Sequence, residues 1–242
     1  MEMTIGPGPI DARATTLERL ARQRFDVLVI GGGITGAAIA HRAGLGNLSV
    51  ALVDKADFAS GTSSRSSRLI HGGLRYLKHG HFRLVMRSQR EQRHMAAAAP
   101  HLVRPLPMLL PLYRRYSSNV GVVSFGMLLY RGMQPLDSTD NHGIMTARAL
   151  LAEEPLLPSE GLLGGFVCRE FLTHDARLVW ENVLAATEHG ACSANYVRVQ
   201  ELLISRGRVS GAALRDELTG ETIEAQARIV VDATGADRKS VV

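Results

Sequence analysis

Residues 25–36, FDVLVIGGGITG, decide the fold that we predict for this chain. Five of the first six are apolar and three of these are β-branched, which favours a short buried strand. A G-x-G-x-x-G pattern follows immediately with Gly31, Gly33 and Gly36, and the next ten residues, AAIAHRAGLG, favour a helix that ends at a glycine. A strand, a glycine-rich turn and a helix in this order are typical of a dinucleotide-binding unit.

Each glycine of the pattern has its own steric role. Gly31 permits the tight turn, Gly33 lets the backbone approach a pyrophosphate, and Gly36 lets the helix pack closely on the strand. A second strand at 48–54 ends on Asp54, where an acid accepts hydrogen bonds from the ribose hydroxyls of an adenosine. That acid disfavours NADP, whose 2′-phosphate it would repel. The pattern alone does not separate NAD from FAD.

Composition excludes several classes of protein. The 242 residues are 45% hydrophobic and 21% charged, as in ordinary globular chains of one large or two small domains. No apolar run reaches the roughly 18 residues of a membrane-spanning helix, and the N-terminus lacks the apolar core of a secretory signal. The two cysteines, Cys168 and Cys192, form no C-x-x-C pair, and the histidines form no H-E-x-x-H motif. We therefore expect a cytoplasmic protein with no disulfide and no metal site.

Positive charge is concentrated in one block. Residues 62–115 hold eleven basic side chains and one acid, Glu91. Such a block suggests an anionic partner, which could be phosphate groups, nucleic acid or an acidic membrane surface. The block lacks interleaved aromatic residues, so we expect no nucleic-acid binding.

The residues around this block resemble a known family. GGGITGAAIA, ALVDKADFASGTSSRSSRLIHGGLRYLKHGHFRLV and APHLVRPLPMLLPLY are similar to the N-terminal half of the FAD-dependent (aerobic) glycerol-3-phosphate dehydrogenases, and the similarity resumes at 174–191 and 227–236. The resemblance implies an α/β fold of the two-dinucleotide-binding-domain flavoprotein type: a Rossmann-like FAD-binding domain with part of a mixed-sheet substrate domain. It also implies an oxidoreductase of glycerol metabolism that oxidises glycerol 3-phosphate to dihydroxyacetone phosphate, with FAD as cofactor and quinone as electron acceptor. Arg114 and Arg115 beside an apolar stretch suggest peripheral contact with the inner face of the cytoplasmic membrane, and surface loops without such contact are an equal alternative.

The same resemblance implies a set of cofactor-binding residues. The segment after the second strand would wrap the FAD, with hydroxyl groups donating to its pyrophosphate and ribitol and paired glycines letting the backbone approach the isoalloxazine ring. Beyond the glycine pattern and Asp54, the residues of this set are Thr62, Ser63, Ser66, Arg68, Leu69, Gly72, Gly73 and Gly235.

Three further residues are implied at the substrate. Arg75 would grip the phosphate or polarise the substrate oxygens, and Tyr76 adjoins it. His71 would accept the proton of the C2 hydroxyl, because histidine side chains titrate near neutral pH. A structural hydrogen bond that holds the loop is the alternative role for His71.

The chain divides by this comparison into an N-terminal arm (1–24) with a short helix from Thr15 to Arg24, a discontinuous FAD-binding domain (25–100 and 174–242) and a partial substrate domain (101–173). The family is roughly twice this length. We therefore expect a truncated relative, a partial gene model or a fragment, with little or no turnover. Two alternatives stay open: a non-catalytic FAD-binding remnant, and a related FAD-dependent amine or amino-acid oxidase. HGGLRY after TSSRSS favours the dehydrogenase over the oxidase.

Overall fold

The computed structural model describes residues 9–77, 79–115, 120–132 and 143–236. The chain divides into two compact units: Met1–Ser67 with Asp175–Val242, and Arg68–His174. Residues 68–100 therefore belong to the second unit in the structure, whereas the sequence-based boundary at residue 100 assigned them to the FAD-binding domain. The reason is local, because β3 and α3–α4, which these residues form, contact elements of residues 101–174.

The described residues form seven α-helices and ten strands. The helices are α1 (Pro9–Arg22), α2 (Ile34–Leu45), α3 (Leu74–Leu77), α4 (Phe82–Ala98), α5 (Val120–Gly132), α6 (Ala147–Glu153) and α7 (Asp175–Glu188). The strands are β1 (Arg24–Ile30), β2 (Val50–Val53), β3 (Leu69–Ile70), β4 (Arg104–Tyr113), β5 (Gly143–Thr146), β6 (Leu162–Leu172), β7 (Cys192–Ala194), β8 (Val197–Ser205), β9 (Arg208–Asp216) and β10 (Thr222–Asp232).

The first unit is built on a six-stranded sheet in the order β7-β2-β1-β10-β9-β8. The pairs β7–β2, β2–β1 and β1–β10 are parallel, and β9 and β8 extend the sheet antiparallel. Alternate residues of β1 enter opposite cores: Leu28 packs with the cluster that contains Leu20 of α1, and Val29 packs with α2 and α7. Because both faces of β1 are covered, its sequence is apolar almost throughout. This architecture confirms the predicted α/β dinucleotide fold.

The N-terminal segment differs from its prediction. Sequence reasoning expected a loose arm with a helix from Thr15 to Arg24, but α1 begins at Pro9 and ends at Arg22. Leu20 is fully buried against the sheet, and Arg13 donates to the carboxylate of Asp216 and to the carbonyl of Asn195. The predicted helix therefore exists, but it begins six residues earlier and ends two residues earlier than the sequence indicated, and burial on the sheet helps to stabilise it. Residues 1–8 of the predicted arm lie outside the described residues.

The second unit has a sheet centred on β6, which pairs antiparallel with β3, β4 and β5. β4 carries prolines at 105, 107 and 111 and pairs with β6 only, among the strands that the structure describes. Proline cannot donate to a ladder, so an edge position suits it. The core of this unit joins Val85 of α4 and Tyr130 of α5 to Phe166 and Cys168 of β6.

Membrane-spanning helices were searched for in the described part of the chain. None of its helices has the length and apolar character that crossing a bilayer requires.

Candidate cofactor site and substrate segment

A cavity of about 440 Å³ opens in the first unit where β1 and β2 end and α2 begins. Ligands of open α/β sheets bind at this place, outside the carboxyl ends of the strands, and cavities of about 300–1,000 Å³ are usual for them. The predicted cofactor residues that line it are Gly31, Gly33, Asp54, Thr62, Ser63, Ser66 and Gly235. Val199 of β8 lines it too.

The three glycines of the motif meet different surroundings. A Cβ on Gly36 would lie 1.8 Å from the carbonyl oxygen of Gly31, and a Cβ on Gly31, where φ is +107°, would lie 2.5 Å from the carbonyl oxygen of Ala233. A Cβ on Gly33 would meet only the hydroxyl of Ser63, at 3.3 Å. Gly31 and Gly36 are thus required by the packing of the protein itself, whereas Gly33 borders the open cavity.

The N-terminus of α2 faces this cavity without a side-chain cap. Its N-cap residue, Gly33, has extended backbone and offers no side chain to the first turn, while the backbone N–H of Ile34 donates to Ser63 Oγ over 3.0 Å. Ser63 accepts this bond and keeps its own hydroxyl hydrogen for donation. A helix N-terminus with backbone donors and a hydroxyl beside it fits the pyrophosphate of a dinucleotide.

Asp54 closes the turn that precedes the cavity. One carboxylate oxygen accepts the backbone N–H of Gly32 over 2.6 Å, and the other accepts that of Ala56 over 2.9 Å. A carboxylate has about four acceptor sites, so two remain for ribose hydroxyls. The structural bonds and the predicted ribose bonds are therefore compatible.

Ser66 is already engaged within the protein. Its hydroxyl donates to the carboxylate of Asp175, the first residue of α7, over 2.5 Å. A serine hydroxyl has one hydrogen to give, so in this conformation Ser66 cannot also donate to a cofactor. Sequence reasoning missed Asp175 as a cavity residue, together with Lys55 and Arg198.

The remaining predicted residues lie in the second unit. Arg68 has φ of +58°, its carbonyl accepts the backbone N–H of Thr173 over 2.9 Å, and Leu69 begins β3 opposite Leu172. In the structure these two residues pair through their backbones with residues 172 and 173. Their predicted contact with FAD stays a prediction.

Gly72 and Gly73 follow directly on β3. A Cβ on Gly72 would lie 2.0 Å from the hydroxyl oxygen of Tyr130, and Gly73 has φ of +84°. The hydroxyl of Tyr130 leaves no room for a Cβ at position 72, so the packing of the second unit explains this glycine without a ligand. Their predicted approach to the isoalloxazine ring stays a prediction.

The three predicted substrate residues are exposed. His71 follows β3, and Arg75 and Tyr76 lie on α3. The guanidinium carbon of Arg75 lies 5.9 Å from the centre of the Tyr76 ring, within the range of a cation–π contact. Such a contact limits the rotamers of Arg75 while its charge remains in reach of an anion.

Two buried groups of the second unit are kept protonated. Burial and the charge of Glu170 raise the pKa of Tyr130, and the same two causes raise the pKa of the Cys168 thiol to about 11. Neither group is therefore a nucleophile at neutral pH.

Relatives of known name align with most of this chain. The alpha-glycerophosphate oxidase of Streptococcus pyogenes serotype M1 is 38% identical over 229 residues, covering 93% of this chain and 37% of the relative. The aerobic glycerol-3-phosphate dehydrogenase of Bacillus subtilis (strain 168) is 36% identical over 223 residues, covering 92% of this chain and 40% of the relative. The chain thus spans 37% to 40% of the length of these two relatives.

A solved structure and a family model agree with these relatives. The glycerol-3-phosphate dehydrogenase of Bacillus halodurans, solved in complex with FAD, is 33% identical with a TM-score of 0.72, covering 92% of this chain and 37% of that one. The family model DAO, FAD dependent oxidoreductase, matches residues 26–241. This match includes both segments of the six-stranded sheet and the whole cavity, so the chain belongs to the DAO family of FAD-dependent oxidoreductases.

Proposed function

We propose that this chain is part of an enzyme that oxidises glycerol 3-phosphate at C2 to dihydroxyacetone phosphate. The cavity at the ends of β1 and β2 carries the proposal, because it offers an uncapped helix N-terminus and the hydroxyls of Thr62 and Ser63 to one ligand. The substrate comes from the names of the relatives, which are 36% and 38% identical to the chain.

The chemistry needs three contributions. FAD, when bound, would supply a two-electron hydride acceptor for the C2 hydrogen. His71 accepts the proton that leaves the C2 hydroxyl as the C=O bond forms. Arg75 binds the phosphate, since guanidinium groups bind phosphate oxygens in pairs.

Quinone is the proposed acceptor of the two electrons. Dioxygen is the competing acceptor, because the streptococcal relative is named an oxidase. Peripheral contact with the inner face of the cytoplasmic membrane would bring the chain to the quinone. Sedimentation with anionic vesicles tests that contact, and a chain that stays in the supernatant contradicts it.

The proposal is tested on the purified 242-residue chain. We expect a flavin absorption spectrum that survives desalting after incubation with FAD, and anaerobic glycerol 3-phosphate should bleach it only slowly, in line with the low turnover that the sequence predicts. Adding a soluble quinone or, separately, air to the reduced protein then identifies the acceptor by the rate at which the spectrum returns.

Other outcomes separate the alternatives. Bound flavin that glycerol 3-phosphate does not reduce indicates a non-catalytic FAD-binding protein. Reduction by glycine or proline instead indicates an amine or amino-acid oxidase. A protein that never retains flavin contradicts the cofactor assignment for this chain.

A further inference from the structure

The second unit contains a buried carboxylate that the proposed chemistry does not use. Glu170 lies on β6 and is only 4% exposed. One of its oxygens accepts the backbone N–H of Gly72 over 2.7 Å and the side-chain amide of Gln92 over 2.6 Å. The hydroxyl of Tyr130 lies 3.4 Å from its other oxygen.

Gln92 extends this group of contacts to the opposite side of His71. It is 3% exposed on α4, and its side-chain amide also donates to the carbonyl of Ile70. The carbonyl before His71 and the N–H after it are therefore both bound by buried side chains. The side chain of His71 is exposed to solvent, whereas its backbone is held on both sides by buried hydrogen bonds.

Such an arrangement is a poor means of stabilising a fold. Taking a carboxylate out of water is expensive, and a well-packed apolar side chain of similar volume is often as stabilising or more so. What directed hydrogen bonds provide and apolar contacts do not is a defined backbone orientation. Gly72 shows how closely that orientation is set, since a Cβ there would overlap Tyr130 at 2.0 Å and approach Gln92 at 3.0 Å.

We propose that Glu170 and Gln92 are positioning residues that hold the segment from Ile70 to Gly73 in one conformation, so that His71 is presented to the substrate. The inference rests on the proposed function for the role of His71. Neither residue touches the reacting atoms in this proposal; each acts through the peptide groups beside His71.

The chain offers a matched control on the same helix. Gln89 is 2% exposed on α4; its side-chain amide interacts with the hydroxyl of Tyr130 but makes no hydrogen bond to the peptide groups beside His71, so it does not hold the segment directly. Gln92→Met and Gln89→Met remove equal polar groups from equally buried sites. Only the first removes a bond to the backbone beside His71.

The first measurement is amide hydrogen exchange at Gly72 in the full chain without ligand. We expect Glu170→Met to accelerate exchange there by at least about tenfold, Glu170→Gln to restore part of the protection through its amide oxygen, and Gln92→Met to give an intermediate loss. Gln89→Met should exchange at Gly72 as the unmodified chain does. Equal exchange in Gln92→Met and Gln89→Met overturns the inference.

The second measurement follows reduction of bound FAD by glycerol 3-phosphate under anaerobic conditions. Displacing a reacting group by about 1 Å costs on the order of 10²-fold in rate, so Glu170→Met should lower the limiting rate by about that factor while FAD affinity is kept. Glu170→Gln should recover much of the rate. A limiting rate in Glu170→Met equal to that of Gln89→Met overturns the inference.

The two measurements separate the inference from the function on which it rests. If the unmodified chain binds FAD but glycerol 3-phosphate does not reduce it, the proposed function fails. Exchange at Gly72 then decides by itself whether Glu170 and Gln92 fix the segment.

Discussion

Gly33 and Gly36 stand three residues apart in one motif, yet the structure predicts opposite consequences for replacing them with alanine. Gly33 has φ of −79°, which alanine adopts freely, and its new Cβ would meet only Ser63 Oγ at 3.3 Å. The loss of a favourable N-cap residue and the reduced entropy of the unfolded chain are of similar size, so stability should change by less than about 1 kcal/mol.

The cost of Gly33→Ala should instead appear in FAD binding. The added methyl group borders the cavity where the backbone would approach a pyrophosphate. Losing one hydrogen bond to a charged group costs about 1.5–3 kcal/mol, which corresponds to a Kd weaker by about 10- to 150-fold. The bulkier Gly33→Val should abolish FAD binding.

Gly36→Ala should damage the fold itself. Its Cβ would lie 1.8 Å from the carbonyl oxygen of Gly31, whereas a carbon and a carbonyl oxygen approach to about 3.3 Å at closest. The start of α2 would have to move by about 1.5 Å, and overpacking of this kind costs about 3 kcal/mol or more. That is a large share of the 5–15 kcal/mol that usually stabilises a protein.

Two assays decide between these expectations. Titration with FAD, followed by quenching of its fluorescence, gives the Kd, and urea unfolding followed by circular dichroism gives the stability. A Gly33→Ala chain that binds FAD as tightly as the unmodified chain refutes the position of the pyrophosphate. A Gly36→Ala chain of unchanged stability refutes the packing argument.

Three further predictions concern charge and protonation. Arg75→Ala should retain FAD but abolish its reduction by glycerol 3-phosphate; unchanged reduction contradicts the proposed substrate role of Arg75. Hydrogen bonds from Ser49 lower the pKa of Asp26 below its ordinary 3.8. The ionised carboxylate therefore stabilises the folded state above about pH 4, and this contribution to the free energy of unfolding is lost as pH falls through the folded pKa. The urea midpoint should therefore fall less steeply with acid in Asp26→Asn. Burial raises the pKa of both Cys168 and Cys192 to about 11, so iodoacetamide should label neither thiol at neutral pH until urea is added.

Local patterns in the sequence were enough to predict the core of the fold. The role of Gly36 depends on Gly31, five residues before it in the chain, and Asp54 follows directly on an apolar strand. These features need no knowledge of distant partners. The Thr146 cap of α6 was predictable for the same reason, and its hydroxyl accepts the N–H of Ala149 over 3.2 Å.

The contacts that the sequence did not reveal join distant residues. Ser66 and Asp175 are 109 residues apart, and Gln92 and Glu170 are 78 apart. A buried glutamate leaves no periodic pattern, and a glutamine on a helix rich in arginine is expected at the surface. Only tertiary packing decides whether such a side chain is solvated or bound to a backbone.

The order of strands in the six-stranded sheet has a consequence for the synthesis of the chain. β10 pairs with β1, and Arg228 of β10 donates to the carboxylate of Asp26 of β1, 202 residues earlier in the chain. At about 5–20 residues per second, a ribosome needs roughly 10 to 40 s between these two points. During that time the apolar β1 has no partner on one edge, which exposes it to aggregation or to capture by a chaperone. Residues 68–174 are contiguous and contain every strand that the structure describes in their own sheet, so the unit synthesised in the middle can fold before β10 pairs with β1 in the first sheet.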